Sequence, residues 1–254
     1  MQTPWRMLIL LILWALVWGP EVVPDLEQTG LLYVVELHDS YFDPPGLLLH
    51  RGDRVSWLMV SRDPDGHSAT AYHPQFDKQL RIPETAQPWN SGLLKREGQT
   101  FERAFNEKGV YDYFCIPHED TGMVARIIVE EAIGPGTQSL AQGVSAAGQS
   151  VMPTVTEIMG LTGKIFNVQA QINTVALQVR RNNRAGAVQL WDEIAKTTQA
   201  SELWARVRAV GYETALLQSF YKLRQLITST ASLSTILAQT QTLKDLLDEV
   251  SRKL

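Results

Sequence analysis

The sequence predicts an all-β sandwich or barrel followed by an α-helical bundle or helical hairpin. Short apolar runs alternate with turn residues as far as residue 133, and heptad stripes of apolar residues follow beyond Pro153. Between them, residues 134–153 are rich in Gly, Ser, Gln and Ala. We therefore divide the chain into a β domain at 28–133, a linker at 134–153 and a helical domain at 154–254, with residues 1–20 set apart as an N-terminal signal peptide or membrane anchor.

The N-terminal segment has the layout of a secretory signal, with Arg6 followed by an unbroken apolar run at residues 7–18. At ~1.5 Å per residue, a helix of this length is shorter than the ~30 Å hydrocarbon core of a bilayer. Length therefore favours a cleaved signal peptide, and an uncleaved anchor is the alternative because no small-residue cleavage pattern follows. Both readings place the rest of the chain outside the cytoplasm, in the periplasm or at the cell surface.

The β region is predicted from short runs rich in Val, Leu, Tyr and Phe. The expected strands lie at residues 31–37, 47–50, 55–60, 68–72, 100–105, 109–114 and 124–129. Turn signals such as Asp43-Pro44-Pro45-Gly46 separate them, and residues 81–94, which contain Pro83, Pro88 and Gly92, are expected to form a long irregular loop. Short strands with frequent turns indicate a sandwich or barrel.

The C-terminal region is predicted to be helical. One heptad stripe runs from Ile158 to Val179 and a second from Leu233 to Leu254, with amphipathic stretches at 188–194 and 203–227 between them. Three or four helices are expected to pack as a bundle or coiled-coil hairpin with a binding or oligomerising role. The composition of residues 134–153 predicts a flexible linker before them.

Charge and cysteine content limit the functional classes. The net charge is -4, and the acidic residues are concentrated in the N-terminal half. This distribution argues against nucleic-acid binding and leaves room for charge-steered docking with proteins. Cys115 is the single cysteine, so an intramolecular disulfide is excluded.

The most informative segment carries Cys115, His118 and Met123 in a Cys-x2-His-x4-Met pattern at the end of a predicted strand. A thiolate, two imidazoles and a weak axial thioether form the ligand set of blue-copper sites. One short loop between neighbouring strands can wrap three ligands around an ion, and the fourth must then come from an adjacent loop, where His67 lies. His73 is the alternative to His67, because side chains of a strand share a face at every second residue.

This segment resembles the plastocyanin/azurin family of cupredoxins over roughly residues 31–131. The shared pattern is Gly109-x-Tyr111-x-Tyr113-x-Cys115, followed by Pro117-His118 and Gly122-Met123. The resemblance implies a cupredoxin-like Greek-key sandwich with one type 1 copper ion. It also implies that the copper ligands are His67, Cys115, His118 and Met123, and that His118 is the ligand nearest the surface, where electrons enter.

Two residues near the implied site are expected to affect its reduction potential and its rigidity. Pro117 has no backbone N–H and cannot donate a hydrogen bond to the sulfur of Cys115, which is expected to raise the reduction potential. Ser68 replaces the Asn that braces the two ligand loops in many plastocyanin-like proteins, and its hydroxyl is expected to substitute only in part.

Five acidic residues lie near the implied site in the sequence and are expected to form either an acidic docking patch or a solvated loop face: Glu119, Asp120, Asp63, Asp65 and Asp77.

The expected function is electron transfer without bond chemistry, because multicopper oxidases and nitrite reductases need additional coppers. The expected partners are protein redox partners, membrane-bound or extracytoplasmic. One alternative is copper storage, delivery or sensing, with the helices as a partner-interaction module, and another is a structural protein with a vestigial site. The helical half has neither His nor Cys, and we expect the copper site to survive removal of residues 154–254.

Overall fold

The computed structural model describes residues 30–254, so the signal peptide or anchor expected at residues 1–20 lies outside the described residues. The first half forms two four-stranded sheets, with strand orders β2-β1-β4-β6 and β3-β8-β7-β5. The strands are β1 (Leu32–Leu37), β2 (Phe42–Asp43), β3 (Gly46–Leu49), β4 (Arg54–Met59), β5 (Thr70–Ala71), β6 (Thr100–Ala104), β7 (Gly109–Phe114) and β8 (Val124–Val129). The predicted β sandwich is confirmed.

Five of the seven connections between consecutive strands cross from one sheet to the other, whereas β1–β2 and β7–β8 each stay within one sheet. Parallel pairing joins β1 to β4 and β3 to β8, whereas β7 and β8 are antiparallel. The core between the sheets contains Trp57, whose ring centroid lies 5.5 Å from that of Tyr113 in an edge-on contact. β7 therefore has one face in the core and ends where the predicted ligand loop begins.

β1 is mostly apolar on both faces, and each face is covered. Tyr33, Val35 and Leu37 lie in the core between the sheets. Val34, on the other face, packs with Leu58 and with Leu177 of the helical half. A continuous apolar run is typical of strands buried on both sides, so the run already indicates a second layer over this sheet.

Within residues 30–254, six α-helices follow Pro153 and one precedes it. They are α1 (Ala146–Val151), α2 (Val155–Met159), α3 (Leu161–Arg180), α4 (Arg184–Gln199), α5 (Glu202–Ala209), α6 (Glu213–Thr228) and α7 (Leu233–Ser251). The predicted number, three or four, was too low because two continuous apolar patterns are interrupted. Gly160 separates α2 from α3, and Gly211, with a φ of 83°, separates α5 from α6. Within residues 30–254, none of the helices combines the length and hydropathy that crossing a bilayer requires.

α3 packs directly on the sandwich. The side-chain amide of Asn167 accepts a hydrogen bond from the backbone N–H of Leu48 (3.0 Å) and donates one to its carbonyl (2.6 Å), so it pairs with the edge strand β3. Ala170 belongs to the core cluster of the sandwich. The amide of Asn173 donates to the carbonyl of Asp43 at 3.0 Å. The first heptad stripe lies on another face of α3, where its members from Ile165 to Val179 pack in the core of the helical half.

A buried ionic cluster joins α7 to the end of β1. The Lys244 ammonium lies 2.7 Å from a carboxylate oxygen of Glu36 and 2.7 Å from one of Asp43. Burial alone would lower the pKa of Lys244, but the two carboxylates raise it. Burial alone would raise the pKa of Glu36, but His38 and Lys244 lower it to about 2. The contact of Lys244 with Glu36, at 2.7 Å, is shorter than that of His38, whose Nε2 atom lies 3.4 Å from Glu36.

The expectation of a flexible linker at residues 134–153 is wrong. This segment contains a 3-10 turn (Pro135–Thr137) and α1. The buried guanidinium of Arg81 donates hydrogen bonds to four carbonyls of the segment, those of Gly136, Gln138, Ser139 and Gln142. The composition of the segment does not reveal this ordered structure, because the hydrogen bonds are accepted by its backbone and are donated by a residue far away in the sequence.

Candidate metal centre

The loop after β7 carries three of the four residues singled out in the sequence. Cys115 follows Phe114, the last residue of β7, and β8 begins at Val124. The backbone closes this loop through hydrogen bonds from Cys115 N to Met123 O (3.0 Å) and from Met123 N to His118 O (3.0 Å). The N–H of His118 also donates to the carbonyl of Cys115 at 3.1 Å. These bonds bring the two ends of the loop together beside His118.

The turn inside the loop requires glycine. The 3-10 helix Glu119–Thr121 ends at Gly122, which has a φ of 96° and donates its N–H to the carbonyl of Glu119. Residues with a side chain are strained in this left-handed region. The glycine that precedes Met123 in the motif therefore has a conformational role.

His67 is held by a separate segment. It makes two backbone hydrogen bonds with Leu94, donating at 3.0 Å and accepting at 2.8 Å. The long irregular loop predicted at residues 81–94 thus ends beside His67 and fixes its backbone. From this position the imidazole reaches the loop that follows β7.

Three donor groups converge in the folded chain. Nδ1 of His118 lies 3.5 Å from the Sγ atom of Cys115, and Nδ1 of His67 lies 3.6 Å from it. The potential ligand atoms of the three residues all lie within 4.8 Å of one another. Met123 is fully buried in the same core cluster as Cys115. The structure therefore brings together the residues that the sequence selected.

Burial differs among these residues. His67, Cys115 and Met123 are fully buried, whereas the side chain of His118 is 16% exposed. Burial raises the pKa of the Cys115 thiol to about 11, although the Ser68 amide partly offsets this. Burial, followed by the proximity of His118, lowers the pKa of His67. His118 is the member of the cluster nearest the surface, as the family resemblance implied.

The cluster has the spacing that a bound metal ion requires. With metal–nitrogen bonds of about 2.0 Å and metal–sulfur bonds of about 2.3 Å, ligand atoms in tetrahedral or trigonal sites stand roughly 3.5–3.8 Å apart. The two Nδ1–Sγ distances, 3.5 and 3.6 Å, agree with this. Two imidazoles with a buried thiol and a thioether nearby form the donor set that suits copper. The residues present therefore fit a copper ion.

Ser68 connects the two segments of the site. Its backbone N–H donates to the Cys115 sulfur at 3.3 Å, and its hydroxyl accepts a hydrogen bond from the N–H of Ile116 at 2.9 Å. The contact continues to two residues that were not predicted from the sequence. The hydroxyl also lies 3.0 Å from that of Thr70, which donates to Asn90 at 3.2 Å. Thr70 follows Ser68 by two residues and so shares a face of the predicted strand with it, which is the signal that could have identified this contact.

The other candidate residues lie in different settings. The Nδ1 atom of His73 accepts a hydrogen bond from Gln75 N at 3.1 Å, which caps a 3-10 helix, so His73 does not join the cluster. The acidic docking patch needs correction. Glu119 is buried and accepts a hydrogen bond from the Tyr72 hydroxyl at 2.8 Å, and it pairs with Lys78.

Comparisons with known proteins point to a copper-binding family. A family model described as copper binding proteins, plastocyanin/azurin family, matches residues 32–130. The structure of pseudoazurin from Hyphomicrobium denitrificans, which is 18% identical, gives a TM-score of 0.36 and covers 47% of this chain and 90% of that one. Plastocyanin from Synechococcus sp. (strain JA-2-3B'a(2-13)) is 31% identical over 47% of this chain and 90% of that protein. Plastocyanin from Solanum crispum is 40% identical over 43% of this chain and 98% of that protein. These two sequence similarities show that the chain belongs to the plastocyanin/azurin family of copper-binding proteins.

Proposed function

We propose that this protein is an extracytoplasmic electron carrier with one type 1 copper ion. The proposed copper ligands are His67, Cys115, His118 and Met123. The observation that carries the proposal is the buried cluster in which two imidazole nitrogens lie 3.5 and 3.6 Å from one cysteine sulfur. Bound copper would supply a one-electron couple, for which soft sulfur ligands suit Cu(I) and imidazoles tolerate both oxidation states.

The surrounding chain favours a site that changes little between the two oxidation states. Leu94 holds the backbone of His67 on one side, and backbone hydrogen bonds close the loop from Cys115 to Met123 on the other. Ser68 ties the two segments together. Side chains that are already fixed need little rearrangement when the charge of the site changes, so the barrier to electron transfer is low.

The single backbone hydrogen bond to the sulfur supports a lowered reduction potential, rather than the raised one expected from sequence. The backbone N–H of Ser68 donates to Cys115 Sγ, whereas Pro117 has no N–H to contribute. Each such donor adjusts the electron density on a metal-bound thiolate and thus its potential. With a single backbone donor, more electron density stays on the sulfur, so the oxidised pair is stabilised more than it would be with two donors.

The proposed partners are proteins that dock near His118. The ligand loop exposes Ile116, which is 50% accessible, beside the partly exposed imidazole. The helical half exposes Leu217 and Tyr221 on α6, which supports a second contact surface for another protein or a copy of this chain. The apolar run at residues 7–18 supports an extracytoplasmic location, with the segment cleaved or kept as an anchor.

The test compares electron transfer with metal release in the copper-loaded protein. A carrier gives fast electron self-exchange, measured by NMR line broadening, and slow transfer of copper to a competing chelator. A copper storage or delivery protein, the alternative from sequence, gives the opposite pattern. The complete burial of His67, Cys115 and Met123 disfavours the alternative, because metal release requires an opening of the site.

A further inference from the structure

We propose that Asp63 is a positioning residue that holds the imidazole of His118 and lowers the reduction potential of the copper site. This inference rests on the proposed function above. A carboxylate oxygen of Asp63, Oδ2, lies 3.3 Å from Nε2 of His118, and both side chains are mostly shielded from solvent, with exposures of 20% and 16%. Asp63 thus faces the member of the cluster that is nearest the surface.

The carboxylate of Asp63 is itself held in place. Its other oxygen, Oδ1, accepts a hydrogen bond from the backbone N–H of Asp65 at 2.9 Å. The backbone N–H of Asp63 donates to the hydroxyl of Ser61 at 2.9 Å, and its carbonyl accepts from Gly66 N at 3.1 Å. One oxygen therefore anchors the side chain, and the second is left for His118.

The two nitrogens of His118 have different neighbours. Nδ1 lies on the side of the Cys115 sulfur, at 3.5 Å, and Nε2 lies on the side of Asp63. A metal bound through Nδ1 leaves the proton of the neutral ring on Nε2, facing the carboxylate. A carboxylate in this position fixes the tautomer and the ring orientation and makes the imidazole a more basic ligand. A more basic ligand beside a negative charge favours the more highly charged oxidised state.

His67 shows the contrast. Its Nε2 atom is buried and has no hydrogen-bond partner among residues 30–254. Burial and the backbone bonds to Leu94 already restrict His67. His118 lies at the edge of the site, where packing covers it on fewer sides, and Asp63 supplies the missing contact.

The test compares Asp63→Asn with the matched control Asp65→Asn in the copper-loaded full chain. Both exchanges remove one negative charge, and the potential ligand atoms of Asp63, Asp65 and His118 all lie within 4.8 Å of one another. The 3.3 Å contact with Nε2 of His118 is made by Asp63 and not by Asp65. We expect Asp63→Asn to shift the Cu(II)/Cu(I) equilibrium about tenfold toward Cu(I), which corresponds to a reduction potential about 59 mV higher for a one-electron couple. The rise in potential in Asp65→Asn should be less than half as large.

A second variant, Asp63→Ala, removes the acceptor as well as the charge. It should shift the potential at least as far as Asp63→Asn and change the copper hyperfine splitting in the EPR spectrum. Equal shifts in Asp63→Asn and Asp65→Asn, or an unchanged potential in both Asp63 variants, would overturn the inference. A wild-type protein without a type 1 copper spectrum would refute the proposed function itself, before any variant is compared.

Discussion

The hydroxyl of Ser68 accepts a hydrogen bond from the backbone N–H of Ile116 at 2.9 Å, so a side chain next to one proposed ligand holds the backbone next to another. The amide of Ser68 also reaches the sulfur of Cys115. The sequence predicts that the hydroxyl replaces only in part the Asn of related proteins. In the structure it directly connects the two segments that carry the proposed ligands.

Exchange of Ser68 for Ala should destabilise the protein without copper by about 1–3 kcal/mol, because the N–H of Ile116 loses its acceptor. Urea unfolding followed by circular dichroism measures this loss. Ser56→Ala is a matched control, because the Ser56 hydroxyl is also buried but has no partner within the described part of the chain. An equal loss in the two variants would contradict a bracing role for Ser68.

Exchange of Asn167 for Ala should weaken the attachment of α3 to the sandwich. The backbone N–H and carbonyl of Leu48 both lose their partner, and we expect a loss of about 1–3 kcal/mol in the free energy of unfolding. Asn106→Ala, an exchange of the same type at an exposed position, is the control. A change in Asn167→Ala no larger than that of the control would show that this contact does not stabilise the fold.

Removal of residues 154–254 should destabilise the copper domain, contrary to the expectation from sequence. The helical half covers Val34 and Leu58 with Leu177, and it inserts Ala170 into the core of the sandwich. Without this layer an apolar sheet face is exposed to water. We expect the fragment to aggregate or to melt at a lower temperature than the full chain in calorimetry. An equal melting temperature would show that the two halves are independent.

Exchange of Lys244 for Met should leave the buried carboxylate of Glu36 and the half-buried carboxylate of Asp43 without their cation. Removing one partner of a buried ionic cluster costs about 3–5 kcal/mol. Urea unfolding at pH 7 measures the loss, and Lys222→Met, at an exposed position of α6, is the control. A variant as stable as the wild type would show that the cluster contributes nothing to the attachment of α7.

The same cluster predicts an acid-sensitive component of stability. The pKa of Glu36 falls from its ordinary value of 4.5 to about 2 on folding, so the folded protein binds fewer protons in this interval. The stabilisation is therefore present above pH 4.5 and is lost as the pH falls toward 2. In Glu36→Gln this component should be absent, so unfolding midpoints from pH 5 to pH 3 should decline less steeply than in the wild type. Parallel declines would refute the assignment.

Local sequence was sufficient to predict the ligand loop, because Cys115, His118 and Met123 lie close together on one strand-to-strand connection. The spacing typical of the family then added His67. Contacts between distant segments could not be predicted in this way. Lys244 and Glu36 are 208 residues apart, and each alone resembles an ordinary surface charge. A heptad stripe likewise shows that a helix face is buried but does not specify the surface that covers it.

The central claim is that side chains from two separate segments hold one copper ion through the sulfur of Cys115. The most direct measurement is the visible absorption spectrum during titration of the metal-free protein with Cu(II). We predict an intense blue thiolate-to-copper band that saturates at one copper per chain and is absent from Cys115→Ser. A colourless copper-loaded protein, or a band of the same intensity in Cys115→Ser, would contradict the claim.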